Sequence, residues 1–469
     1  MYKKTILLPI YNGMRSRNFF RNDLYPELVK DEDLQLVILV PPYKMDLYNR
    51  EFSKPNVVFQ SWDAIPENYF SRLVKGMAFS LLDTVSIKTL QYVAYLKTGN
   101  KISYLAKRLF TNVLGNRRWA IRLMRFLDGR VAVDNRVVAF IDQYKPDLVI
   151  APDIMFGPDV AVLRAAKRKD IPTLGMVRSW DNLTSRGIIR SLPDKLIVHA
   201  SFMKKEAVKY SGMKPENVLV LGIPHFDLYF QQHQVSRDEF YKSLNIPTDR
   251  RLVLCAPFFD TYSHQSGLNI VNGLVGAIKS GKLPADIHLI VRYRPESMSD
   301  DDSQAEKDLE ATGYATVTKP YAHSFSVIAD GRPEFEYSQA DLDLFYNSLY
   351  FSDVTINTIS TLTVDAIALD KPVINVRYDG DPNCPPANQI KNYSQFEHYQ
   401  DIEDAGGVRL AYSMDELIKH LRDYLADPGL DASGRRKVRS DQIEFMDGLS
   451  GKRYADFIKD FVYKPKLID

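Results

Sequence analysis

Ser352-Asp353-Val354-Thr355-Ile356-Asn357-Thr358-Ile359-Ser360-Thr361-Leu362-Thr363-Val364-Asp365-Ala366-Ile367-Ala368-Leu369-Asp370-Lys371-Pro372-Val373-Ile374 carries a strand, a turn, a helix and the start of a second strand. The β-branched run at 354–357 reads as a buried strand ending near Asn357. The turn Thr358 to Thr361 is polar, and a helix then runs toward the Lys371-Pro372 break. A strand, helix and strand joined this tightly imply parallel strands with a right-handed crossover. In such sheets ligands gather outside the carboxyl ends of the strands. Thr358, Ser360 and Thr361 stand at such an end. Free N–H groups at a helix start, with hydroxyls beside them, suit a diphosphate. One turn further in, Asp365 is placed to accept hydrogen bonds from ribose hydroxyls. The same residues also read as a plain helix cap at Ser360 and a solvated carboxylate at Asp365.

Working outward, the alternation repeats along the chain. Strands are expected at 5–10, 34–40, 57–60, 147–151, 173–177, 195–199 and 218–221. Helices are expected between them, among them 18–28, 158–169 and 202–211. The pattern restarts after Gly222-Ile223-Pro224, with strands at 252–256, 288–292, 316–318, 354–357 and 373–376. Two series of βαβ units predict an α/β chain of two doubly wound, Rossmann-like domains facing each other across an interdomain cleft. The boundaries read as 1–224 for an acceptor-side domain, 225–446 for a nucleotide-binding domain and 447–469 for a closing helix near the junction. Ser413 with Glu416 forms a capping-box pattern ahead of Leu417, Leu421 and Leu425.

With 469 residues and 45% hydrophobic content, the chain has material for two large cores. Sixty-one Lys and Arg against 59 Asp and Glu leave a net charge of +2, so global charge gives no case for nucleic acid. Two cysteines, Cys255 and Cys384, form no CxxC or Cys/His cluster, so zinc ligation has no support. The first apolar run is broken at once by Asn12, Gly13, Arg15 and Arg17, and reads as a strand and turn instead of an export signal. No apolar run reaches the length of a membrane span. The location expected from these features is cytoplasmic.

Several other loops follow expected strands. Asn12-Gly13-Met14-Arg15 follows the first; Gly13 would allow close backbone approach, and Arg15 would meet a phosphate or acidic sugar. It lacks GxGxxG, so a dinucleotide cofactor is not supported. Arg178-Ser179-Trp180-Asp181-Asn182 follows the strand ending near 177. Arg178 and Asn182 suit an acceptor, and Asp181 is the first candidate for a general base. An Asx turn explains Asp181 equally well. Rival bases are His225 in Gly222-Ile223-Pro224-His225, then His264 and Asp153. Asp300-Asp301-Asp302 and Asp341-Leu342-Asp343 mimic metal motifs, but the first reads as a loop, and on a helix the second pair would point apart. No metal and no cofactor are expected.

Residues 71–130 hold twelve Lys and Arg against only Asp83 and Asp128, with aromatics and leucines between them. Such basic amphipathic helices suit contact with an anionic inner leaflet, and equally a solvated face packed on its own domain.

The segment 352–374 resembles the donor motif of GT-B glycosyltransferases, above all the CDP-glycerol glycerophosphotransferase-like and bacterial surface-polysaccharide transferase group. The matching features are Ser352-Asp353-Val354, the pair Ser360-Thr361, Asp365, and Lys371-Pro372 with Ile374. Leu192-Pro193-Asp194, Val218 to Pro224 with Asp227, and Asp447-Gly448 to Arg453 match in order, so the resemblance spans about residues 140–469. It departs where relatives carry His-Pro, here Arg292-Tyr293-Arg294-Pro295, and where they carry Thr-Trp, here Phe258-Phe259 after Ala256-Pro257. Arg294 would take over the phosphate contact as a clamp. The resemblance implies an inverting, metal-independent transferase moving a sugar or related group from a nucleotide-activated donor to a surface polysaccharide or lipid-linked glycan. A UDP-sugar 2-epimerase and a non-catalytic scaffold are the alternatives on the same fold.

Overall fold

A computed structural model describes residues 2–63, 68–231, 235–257, 264–293, 303–320, 322–329 and 332–464. The chain forms two compact units. One comprises Met1–Tyr95, Asn100–Phe230 and Glu444–Asp469, the other Leu96–Gly99 and Gln231–Ile443.

The first unit is built on seven parallel strands: β1 (Lys4–Pro9), β2 (Leu34–Val40), β3 (Val57–Ser61), β4 (Leu148–Ala151), β5 (Thr173–Met176), β6 (Lys195–Val198) and β7 (Val218–Val220). Their order is β3-β2-β1-β4-β5-β6-β7. The chain winds outward from β1 to β3, returns to lay β4 beside β1, and winds the other way. The register sets Ile6 opposite Leu36 on one side and Leu148 on the other. The inner strands are apolar on both faces because helices cover both, which is why they read as continuous β-branched runs. Leu7, Val37, Leu39 and Val149 pack with Val137, Ile141 and Val162 from the covering helices Asn135–Tyr144 and Gly157–Lys167.

The single helix expected at 18–28 is two, Gly13–Phe20 and Leu24–Val29. The Asn22 amide donates to the carbonyls of Arg17 and Asn18, and its oxygen accepts from the Leu24 N–H. It thus ends one helix and starts the next. Pro26 sits in the first turn of the second helix, where its missing N–H costs nothing.

The second unit restarts the pattern with β8 (Arg251–Ala256), β9 (Ile287–Arg292), β10 (Ala315–Thr318), β11 (Ala322–Ala329), β12 (Arg332–Tyr337), β13 (Val354–Asn357), β14 (Val373–Val376) and β15 (Arg409–Ala411). Six form a parallel sheet ordered β10-β9-β8-β13-β14-β15, while β11 and β12 form a separate antiparallel hairpin. Its core includes Val253, Val271, Leu289, Val354, Ile374 and Leu417. The expected cap at Ser413 is present: its side chain accepts from the Glu416 N–H, opening the helix Met414–Ala426.

The last helix, Ser450–Tyr463, belongs to the first unit. The Asp227 carboxylate accepts from the N–H groups of Ser450 at 2.9 Å and Gly451 at 2.7 Å, so a distant side chain caps this helix. Gly222 has φ +88°, and a Cβ there would come within 2.4 Å of the Ser450 Oγ. Two orphan amides at a helix start are costly to leave bare. Asp227→Ala should therefore lower the unfolding free energy by about 1–2 kcal/mol, as caps do. Urea titration followed by circular dichroism measures this; an unchanged midpoint would show that water caps the helix as well.

Candidate functional site

In a doubly wound sheet the crevice opens where the winding reverses, between β1 and β4 in the first unit and between β8 and β13 in the second.

In the first unit, the segments after β1, β4 and β5 meet on one buried cluster. Asn12 caps the helix Gly13–Phe20, accepting from the Arg15 N–H at 3.2 Å; Gly13 is simply that helix's first residue. Arg15 donates from Nη2 to Asp153 Oδ2 at 2.9 Å, and its Nε lies 3.6 Å from Asp159 Oδ2. Arg178 Nε stands 3.2 Å from the same Asp153 oxygen. The Asp153 N–H donates to Asp159 Oδ1 at 2.8 Å, and the Arg15 guanidinium lies 3.7 Å from the Phe156 ring centroid. Arg15 is only 2% exposed and Asp159 is fully buried. Burial acts to raise Asp153, but Arg178 and Arg15 outweigh it and hold the carboxyl below its ordinary range. Asp159 has one cation against the nearby charge of Asp153, and burial pushes it up to about 7. Among the described residues, Nε and Nη1 of Arg15 and both side-chain amide atoms of the buried Asn182 find no hydrogen-bond partner. Arg15 and Arg178 are thus brought together, but as partners of Asp153.

The segments after β5, β6 and β7 build a second cluster. Trp180 meets the His199 ring edge-on at 5.3 Å and lies 5.5 Å from Phe226, which in turn meets His225 at 4.9 Å. Burial lowers His199 to about 4 and His225 well below its ordinary value, and the charge of Arg17 acts in the same direction on both. Both imidazoles are neutral at pH 7. His225 is half-buried on the short turn Pro224–Phe226. The Asp181 carboxylate accepts from Ser185 Oγ at 2.8 Å and lies 3.8 Å from Arg186 Nε, closing the turn Asn182–Ser185.

In the second unit, Thr358 is fully buried directly after β13, and among the described residues its hydroxyl finds no partner. Ser360 Oγ accepts from the Leu362 N–H at 3.3 Å, while Thr361 precedes the helix Leu362–Ala368 without a side-chain cap bond. That helix has seven residues, so its hydroxyls matter more than its dipole. Asp365 lies on it, 7% exposed. The Thr363 hydroxyl sits 3.0 Å from Asn375 Oδ1 and 3.3 Å from Asn357 Oδ1. One hydroxyl donates only once, so one of these amides must turn its NH2 inward. Arg292 donates to Asp341 Oδ1 at 2.6 Å and is buried, which occupies the first residue of the Asp341-Leu342-Asp343 motif. Arg294 and Asp300 to Asp302 lie outside the described residues, as does the side chain of His264. Among the described residues no group of three or more His, Cys, Asp or Glu is placed to hold a metal ion.

Asp159 and His199 are not among the sequence candidates, and Arg17 stands in the candidate loop 12–18 without a role of its own. His199 ends an expected strand, so the signal was present. Arg17 stands two positions beyond Arg15, and Asp159 lies inside a helix, where nothing local marks it.

The fold has known counterparts. A UDP-N-acetylglucosamine 2-epimerase described as putative, from Listeria monocytogenes, matches with a TM-score of 0.54 and 13% identity over 99% of this chain and 98% of its own. A glycosyltransferase from Rickettsia africae matches with a TM-score of 0.52 and 11% identity over 99% and 100%. The wall teichoic acid polymerase TagF matches with a TM-score of 0.51 and 12% identity over 99% and 89%. At such identities the likeness establishes the fold alone, two parallel-sheet units of GT-B type. Among curated proteins no sequence matches. The sequence profile for CDP-glycerol:poly(glycerophosphate) glycerophosphotransferase matches residues 178–460, well over half the chain and including β13, the turn after it and Asp365. The chain therefore belongs to the CDP-glycerol:poly(glycerophosphate) glycerophosphotransferase family and is a glycosyltransferase-type enzyme of GT-B fold.

Proposed function

We propose that the enzyme transfers a sugar, or a related group such as glycerophosphate, from a nucleotide-activated donor to a cell-surface polysaccharide or lipid-linked glycan. The observation that carries this is the turn Thr358 to Thr361. It stands at the winding reversal of the second sheet, inside the family-matched segment, with a buried hydroxyl at Thr358 that has no partner among the described residues. The turn's hydroxyls and Arg294 receive the donor phosphates, and Asp365 holds the ribose. The Neisseria meningitidis 2-epimerase of the same fold is bound to UDP-GlcNAc, and TagF was soaked with CDPG, which supports a nucleotide donor here.

The first unit supplies the acceptor side. His225 takes the acceptor hydroxyl's proton as the donor is attacked, inverting the reacting centre. Its neutral ring is ready to accept, whereas the Asp181 carboxylate already holds Ser185. Asp181 remains the second candidate. Arg178 and Asn182 contact the acceptor; Arg15 acts through Asp153, and Gly13 starts the helix that carries Arg15. Leaving-group charge is balanced by arginine and hydroxyl groups, without a metal.

Melting curves with UDP, CDP, CMP, GDP and ADP test the donor site. A nucleotide at about 100 times its dissociation constant adds about 2.7 kcal/mol of stability. One nucleotide should raise the melting temperature, and Asp365→Ala should abolish that response while its ligand-free melt stays close to wild type. No response to any of the five would remove the donor assignment.

A further inference from the structure

Among the described residues five helices lie between β3 and β4, and the first four are Tyr69–Ser80, Val85–Thr98, Lys101–Leu114 and Arg118–Asp128. Their inner faces build a local core of Val74, Ala78, Leu81, Ile121 and Met124. Ile188, 2% exposed, joins that core from the loop between β5 and β6. The same loop carries Arg178, Asp181 and Asn182.

Hydrogen bonds to its main chain hold this loop on the helices. The Thr84 hydroxyl donates to the Thr184 carbonyl at 2.7 Å, across 100 positions of chain, and its oxygen accepts from the Ile87 N–H at 3.2 Å. One buried side chain thus serves the first turn of the helix Val85–Thr98 and the turn Asn182–Ser185 together. The Ala78 carbonyl accepts from the Ile188 N–H at 3.1 Å, and Arg125 Nε donates to the Ile189 carbonyl at 3.0 Å. Between these points Gly187 has φ +93°, and a Cβ there would come within 2.8 Å of the Phe79 Cα. Glycine lets the two backbones lie this close.

Because these contacts are made by main-chain atoms of the loop, they fix its path. The Asp181 carbonyl accepts from the N–H groups of Thr184 at 3.1 Å and Ser185 at 2.8 Å, and the Asp181 carboxylate accepts from Ser185 Oγ. The turn is therefore one piece, and holding Thr184 holds Asp181 and Asn182 with it. Loops that carry function depend on a rigid scaffold behind them. For this loop the scaffold includes helices that precede it by a hundred residues, as well as the sheet.

We infer that the helices within residues 69–128 are the seat of the acceptor loop, and that Thr84 and Arg125 are positioning residues for transfer, acting through the Thr184 and Ile189 carbonyls. This rests on the reading above for one point, that the loop meets the acceptor. A shift of about 1 Å can cost a positioned reaction about 100-fold. The donor turn lies in the other unit and is untouched by such a shift.

Thr84→Val keeps the side chain's shape and removes the hydroxyl, whereas Thr84→Ser keeps the hydroxyl. Hydrogen exchange of the full chain, read by mass spectrometry, reports on the loop directly. Thr84→Val should speed exchange across 182–189 by about three- to tenfold, the loss of one buried hydrogen bond, and Thr84→Ser should restore the wild-type rate. Initial rates then use UDP-N-acetylglucosamine and CDP-glycerol as donor probes, with a detergent extract of lipid-linked glycans as the varied acceptor. Thr84→Val should lower kcat/KM for the acceptor by about 10- to 100-fold, with the donor KM within about twofold of wild type, and serine should rescue it. Arg125→Met reaches the loop from a different helix and should repeat both effects; it decides the matter if Thr84→Val does not fold. Unchanged exchange in the loop overturns the inference, because the loop is then held elsewhere. Equal losses in the donor and acceptor terms also overturn it, because the variants then weaken the fold at large. No turnover by wild type with either probe would count against the transferase reading, and the exchange rates would still decide whether the loop is seated on these helices.

Discussion

Arg15→Met is expected to lower the unfolding free energy of the first unit by about 3–5 kcal/mol, the usual cost of removing one partner from a buried ion pair. Arg15 is the only cation within 4 Å of Asp159 among the described contacts, whereas Asp153 keeps Arg178. Asp159 is therefore the group left exposed to the loss. Its carboxyl already titrates near 7 when folded, against an ordinary 3.8, so the folded chain holds this proton more tightly than the unfolded one. Stability from this group is accordingly present at low pH and declines as pH rises from about 4 to about 7, with a slope of at most ~1.4 kcal/mol per pH unit. Without Arg15 the carboxyl shifts further up and the decline continues beyond pH 7. The variant should thus be closest to wild type near pH 5 and furthest from it near pH 8. Asp159→Asn keeps the acceptor for the Asp153 N–H and should flatten the slope between pH 4 and 7. Urea titrations at several pH values, read by a probe in the first unit because two units need not unfold together, would show this. A constant difference between Arg15→Met and wild type across pH would mean that Asp159 is not the affected group.

His225→Gln should lower kcat/KM by about 100- to 10,000-fold, the range lost with a general base. The ring's proton affinity is depressed by burial first and by Arg17 and His199 next. The wild-type enzyme should therefore keep its activity as pH falls through 6.5 and lose it only below that, where an ordinary histidine would already have charged. Asp181→Asn should cost less than about tenfold, since its carboxylate closes a turn that an amide also closes. Initial rates across pH for both variants separate the roles. If Asp181→Asn carries the large loss and His225→Gln little, the base is Asp181.

Both parallel sheets were legible in the sequence because a strand covered on two faces has only one way to look. Runs such as 34–40, 354–357 and 373–376 begin and end where the structure has them. The hairpin of β11 and β12 was missed, although Asp330-Gly331 between its arms is a strong turn signal. Its arms, AHSFSVIA and RPEFEY, mix polar with apolar residues and lack the continuous β-branched run of the buried strands. Three-residue β15 was too short to register. The split of the first helix turned on Asn22, a local competition for carbonyls that hydrophobic spacing does not report. Site residues directly after strands were legible by position. Their partners were not: that Asp153 would claim both Arg15 and Arg178, and that Asp159 would sit beneath them, depends on three segments far apart in sequence.

The helix Ser450–Tyr463 completes the unit begun by β1. Tyr463 donates to Asp31 and Lys459 to the Glu27 carbonyl, each across 432 positions, and the cap of that helix waits on Asp227. During synthesis the first sheet therefore emerges early but stays unfinished, with one flank uncovered, until the whole second unit has been made. Loop closure over so long a span is slow, and an exposed apolar flank invites misassembly in the meantime. A ribosome that stalls late, or a protease that trims the final helix, should destabilise the opening residues of the chain instead of those nearest the cut.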